Sequence, residues 1–124
     1  MMTVVPALVA PPLALVAKFY RGLADDSRLA ILTMLLRGEQ TSGELAARTG
    51  LSASNTSRHL SCLRECGLVE SRQEWRNVYY RLSEGVALLL EQNACLAARL
   101  AERIAACTNP LMERQGVAAP GRMV

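Results

Sequence analysis

Residues 45–60, LAARTGLSASNTSRHL, read as two helical segments broken at Gly50. Ala46 is small enough to let two helices approach closely, and Gly50 supplies the left-handed residue that a tight turn between them requires. Leu45 and Leu51 are apolar plugs that pin the angle from inside. Ser52 can cap the second helix, which runs through Ser54, Asn55, Arg58, Leu60 and Leu63 to Gly67. This is a helix-turn-helix pattern. Its second helix offers Ser54, Asn55, Ser57, Arg58 and His59 near the N-terminal half. In a major groove, Asn pairs with adenine and Arg with guanine, and a helix N-terminus favours a phosphate. The same residues would form the polar face of any small helical protein, so the choice depends on the segment immediately downstream.

Two β-like stretches come next, Leu68–Arg72 and Val78–Leu82, around a polar tip of residues 73–77. They predict a hairpin wing. Arg72, Arg76 and Asn77 lie at or near its tip, within reach of phosphates or the minor groove. Trp75 either packs under the wing or stands exposed on it. Ser83 caps a long last helix over about residues 84–107, with Leu88, Leu89, Cys95, Leu96, Leu100, Ile104 and Ala105 on one side, and Asn109-Pro110 closes it.

Upstream, Leu13 to Leu23 forms a first helix. Asp25-Asp26-Ser27 starts a second, whose Leu29, Ile31, Leu32, Leu35 and Leu36 predict deep burial. Thr41 or Ser42 caps a third, with Glu44 in its first turn. The expected architecture is mainly α with a small β-hairpin wing, a winged helix-turn-helix. Residues 1–12 are expected to be a flexible arm, 13–110 the DNA-binding and dimerisation domain, and 111–124 a disordered tail.

A chain of 124 residues suits one domain. Net charge is only +3, which argues against a general polyanion binder, but of 14 basic residues Lys18 alone is lysine. Arginine forks phosphates and guanine edges bidentately. Aromatic residues are too few for stacking on single strands, so double-stranded DNA is the expected partner. No apolar run is long enough to span a membrane. Residues 1–17 carry no basic residue, unlike the charged start of an export signal. A cytoplasmic protein with free thiols is expected. No nucleophile–base set or phosphate-cradling glycine loop points to an enzyme. Glu39 and Glu44 read as a surface charge and a helix-start charge.

Leu23-Ala24-Asp25 with Arg28-Leu29-Ala30-Ile31-Leu32 resembles a characteristic segment of the ArsR/SmtB repressor family. So do Ser57-Arg58-His59-Leu60, Leu63-Arg64-Glu65, Gly67-Leu68-Val69 and Val78-Tyr79-Tyr80-Arg81-Leu82, and the likeness covers roughly residues 19–107. The resemblance implies a homodimer formed through the first and last helices, released from DNA by an inducer that is often a metal. Two metal sites of the family are absent. Thr41 and Gly43 stand where some members carry a cysteine pair, and residues 84–107 hold no histidine. Thr56 occupies a position that is usually aliphatic. Residues 54–69 are most similar to the cadmium- and lead-sensing branch, where the counterparts of Cys62 and Cys66 bind metal with a third cysteine near the C-terminus. Continued without gaps, that third ligand falls on Cys107.

Cys62 and Cys66 lie four apart on one helix, which puts their Cβ atoms about 5–6 Å apart on one face. That spacing suits two sulfurs on one ion, and does not suit a disulfide. Three thiolates without imidazole select soft ions: cadmium, lead or mercury, with arsenite chemically compatible. Cys95 falls on the apolar stripe and reads as core, or as a backup third ligand. His59 lies in the DNA-reading helix and is assigned to DNA. The expected function is a repressor released from its operator by soft metal ions. The alternative is a thiol redox-sensing repressor of the same fold.

Overall fold

The computed structural model describes residues 11–113. Most of the expected arm, residues 1–10, and the tail after 113 lie outside the described residues.

Helix α1 (Leu13–Leu23) begins at Pro12, whose carbonyl accepts from the N–H groups of Leu15 and Val16 at 2.9 and 3.2 Å. Its far end is tied down by Arg28. The Arg28 Nε donates to the Gly22 carbonyl at 2.7 Å and Nη2 to that of Arg21 at 3.1 Å, satisfying oxygens a helix end leaves unpaired. Arg28 N–H also donates to the Asp25 carboxylate at 3.0 Å, the N-cap of α2 (Asp26–Leu35). Helix α2 buries Ile31, Leu32 and Leu35. Leu29 and Leu36, expected in the core, stand 37% and 38% exposed at its edge.

A two-residue strand, β1 (Gln40–Thr41), comes next; two residues are too few to show a period, so the sequence did not predict it. Thr41 then caps α3 (Ser42–Thr49) through a full capping box with Glu44. Gly50 takes φ of +81°, the left-handed turn expected of it. Ser52 caps α4 (Ala53–Glu65), accepting from Asn55 N–H at 3.1 Å. Thr56 is fully buried, and its hydroxyl donates to the Ser52 carbonyl at 2.8 Å, so a polar group at a usually aliphatic site is satisfied.

Helix α4 ends in a Schellman motif: Gly67 N–H donates to the Arg64 carbonyl at 3.0 Å and Leu68 N–H to that of Leu63 at 2.9 Å. Cys66 is its C-cap, and the buried Leu63 and Leu68 close the motif. The wing strands β2 (Val69–Glu74) and β3 (Asn77–Leu82) pair from Val69↔Leu82 to Glu74↔Asn77, with β1 on the other side of β3. The turn is therefore two residues, Trp75 and Arg76, and not the five expected. The chemical reason is that a solvent-facing ladder accepts polar residues such as Gln73, Glu74 and Asn77, which read as loop in the sequence.

The last helix is not continuous. Helix α5 (Val86–Arg99) breaks at Leu100 before α6 (Ala101–Ala106). Leu100 N–H is shared between the carbonyls of Leu96 and Ala97 at 3.1 and 3.2 Å. Residues 91–111 are all exposed, so no packing holds this segment straight. Asn109-Pro110 does not close that helix; it opens a short turn, α7 (Pro110–Glu113), where the Asn109 side chain accepts from Leu111 N–H at 2.9 Å. The core joins Leu23, Ile31, Leu32, Leu35, Leu45, Leu60, Leu63, Leu68, Val69 and Val86.

Candidate nucleic-acid interface and thiol pair

Burial of Thr56, Leu60 and Leu63 fixes which face of α4 looks outward. That face carries Ser54, Ser57 and Arg58, all exposed, with Asn55 and His59 partly exposed beside them. Arg58 donates through Nη2 to the Asn55 carboxamide oxygen, so the two side chains present one joined polar edge. The five expected DNA-facing residues are thus together on one exposed surface.

On the wing, Arg76 and Asn77 are exposed. Trp75 stands 86% exposed with the Arg76 guanidinium 5.7 Å from its ring centroid, so it sits on the tip and not beneath the wing. Arg72 behaves differently. Its Nε lies 3.0 and 2.9 Å from the two Glu39 carboxylate oxygens, Nη1 lies 3.0 Å from Glu74, and the guanidinium stacks 4.8 Å above the Tyr79 ring. The sequence reads Glu39 only as a surface charge and does not give its pairing with Arg72. Glu39 lies 33 positions from Arg72, and no spacing rule links residues that far apart.

At the other end of α4, Cys66 N–H donates to the Cys62 carbonyl at 3.0 Å, placing both side chains on one face. Cys62 is half-buried and Cys66 exposed. Burial pushes the Cys62 thiol above its ordinary range, and the neighbouring Cys66 pushes it further, while Arg28 pulls it back. Cys66 borders a cavity of about 240 Å³ with Leu15, Lys18, Phe19, Glu65 and Leu68. Cys95 is exposed, which corrects its assignment to the core: the stripe it lies on packs against the core at Leu89, but from residue 91 onward it is exposed. Cys107 is exposed as well. Among the described residues no three His, Cys, Asp or Glu side chains come together as a metal cluster, so Cys107 does not join the pair within one protomer.

Helices α1, α5 and α6 display Leu13, Tyr20, Leu88, Leu96 and Ile104, all more than half exposed. A groove of about 700 Å³ runs between α1, α2 and α5, lined by Tyr20, Leu29, Leu36 and Leu90 among others. Contiguous apolar surface of this kind marks an interaction site. Among the described residues no helix is long and apolar enough to cross a membrane.

Residues 25–71 match the model of a bacterial regulatory protein family, arsR. Over 93 residues, or 74% of each chain, the protein is 42% identical to a probable mercury resistance operon repressor of Streptomyces lividans. It is 52% identical over 68 residues to the regulator CmtR of Mycobacterium bovis, covering 55% of this chain and 58% of that one. Among solved structures, the homodimeric winged helix-turn-helix DNA-binding domain of Mb0332 from M. bovis superposes with a TM-score of 0.65 at 33% identity, covering 79% of this chain and 89% of that one.

Proposed function

Because the chain belongs to the arsR family of bacterial regulatory proteins, we propose that it is a dimeric repressor that releases operator DNA when Cys62 and Cys66 capture a soft metal ion. The observation that carries this reading is the placement of two adjacent thiols at the end of the helix whose first turns carry the exposed polar residues proposed to meet DNA. The mercury-repressor and CmtR relatives support it by name.

The apolar faces of α1, α5 and α6 are the surfaces for the second protomer. A dimer addresses two half-sites about 34 Å apart, with α4 of each protomer in a major groove. Cys66 borders the cavity against α1, at the edge of that dimer face. A third thiolate is then supplied by the partner's Cys107, since the protomer's own does not reach the pair. Thiolate donors favour cadmium, lead and mercury, and suit trivalent arsenic. Cys62 must give up its proton to bind. Cys62 and Cys66 bracket the last turn of α4, so drawing their sulfurs together acts on the end of the recognition helix. The ion must prefer the DNA-free arrangement; a difference of a few kcal/mol is enough to empty the operator.

Operator binding followed by fluorescence anisotropy, with cadmium, lead, mercury, arsenite and zinc titrated under reducing conditions, tests the proposal. Release at about one soft ion per protomer, with Cys62→Ser and Cys66→Ser variants that bind DNA normally yet do not release, is the expected result. Release by peroxide alone, with no response to metals, would instead establish redox sensing through the exposed thiols.

A further inference from the structure

We propose that Glu39 and Arg72 form a brace that sets the angle of the wing against the recognition helix, and that Arg72 supports DNA binding through this pair without touching DNA. The proposal rests on DNA binding by the family and is independent of the metal reading.

Glu39 is a fixed anchor because the chain on both sides of it is held. The next residue, Gln40, is 3% exposed; its amide nitrogen donates to the Met34 carbonyl at 2.7 Å and the Gly38 carbonyl at 3.2 Å. Its amide oxygen accepts from Arg48 of α3 at 2.6 Å. Thr41 caps α3. Residues 38–41 are thereby bound to α2 and α3 together, and Glu39 projects from this fixed turn onto β2.

Arg72 meets it with most of its donor capacity. Nε and Nη2 fork Glu39, with Nη2 at 2.8 Å, and Nη1 goes to Glu74. One face of the guanidinium lies on Tyr79. Arg81 stands behind, 2.6 Å from Glu70 and 4.0 Å from Glu39. Three carboxylates (Glu39, Glu70, Glu74) surround two guanidiniums (Arg72, Arg81), so the charge of Arg72 is already met within the wing. A phosphate would have to displace Glu39 and Glu74 to reach the Arg72 guanidinium. Arg76, at the tip, has no acidic partner among the described residues and is the phosphate-facing charge of the wing.

The two roles predict opposite signs. A duplex enriched from a random-sequence library by the wild-type protein serves as probe, with anisotropy measured across a salt series. Stoichiometric titration gives each variant's active fraction, so a folding defect cannot imitate a change in affinity. Under the brace, Glu39→Gln weakens binding about two- to fivefold, although it removes a negative charge near DNA. Arg72→Ala weakens it comparably and leaves the slope of log affinity against log salt unchanged. The double variant is no weaker than either single one. Arg76→Ala, in contrast, lowers that slope by about 0.9 for each phosphate it no longer neutralises. Tighter binding by Glu39→Gln, or a reduced salt slope in Arg72→Ala, would overturn the proposal and make Arg72 a phosphate ligand for which Glu39 competes. Unchanged affinity in both variants would overturn it too.

Discussion

At the scale of single residues, the site turns on how tightly Cys62 keeps its proton. Burial comes first, the Cys66 neighbour second, and both favour the neutral thiol over the partial opposition of Arg28. A soft ion must displace that proton, so its affinity should rise with pH until Cys62 ionises, by about tenfold per pH unit for each proton released. Competition against a chelator of known affinity between about pH 6 and 9 measures this, and a flat profile would mean the thiols are already ionised. The sign for folding is opposite. A thiol with a raised pKa contributes stability that is complete below the unfolded value and is lost as pH rises through the folded one, so the metal-free protein weakens on the alkaline side. The thiol pair could be read from the sequence because two residues four apart on a helix must share a face. The roles of Cys95 and Cys107 could not, because their surroundings depend on how distant segments pack.

Among the elements, the wing shows most clearly what local chemistry decides. Trp75 has φ of +64° in the first position of a two-residue turn, where glycine is the comfortable choice. A left-handed non-glycine residue costs about 1–2 kcal/mol, part of which glycine would return as chain entropy. Trp75→Gly should therefore stabilise the protein by about 0.5–1 kcal/mol, seen as a rise of a few degrees in melting temperature. It should also weaken DNA binding, since Arg76 loses the ring it lies beside. An unchanged or lower melting temperature would show that the turn is held by contacts of the indole. The helix cap at Ser52 and the turn at Gly50 could be read directly, and the cap at Thr41 to within one residue, because each depends on residues within three positions. The length of the wing turn and the break at Leu100 could not. The first turns on a polar ladder that resembles loop, and the second on the exposure of every residue from 91 to 111, beyond the part of α5 that packs on the core.

For the whole molecule, the protomer is half of a packing problem. Packing against its core ends at Leu90, and residues 91–111 face outward with Leu96, Leu100 and Ile104 uncovered. Leu96→Glu places a charge on that surface and should convert the dimer to monomer in sedimentation velocity, with operator affinity falling by about tenfold or more as the paired half-sites are no longer engaged together. A variant that stays dimeric would move the interface elsewhere. Fold class and layer order were legible in the sequence because apolar period and turn residues agree along it. The assembly was legible only through the family resemblance, because a stripe of leucines by itself looks the same whether it faces its own core or a neighbour. Helix α4 carries the two proposed functions at opposite ends: Ser54, Asn55, Ser57 and Arg58 at one, Cys62 and Cys66 at the other, with Thr56, Leu60 and Leu63 locked behind both. Under the proposed function, substitutions at the first end would rewrite the preferred operator without disturbing which ion is sensed, and the reverse, so the two specificities would be free to change independently.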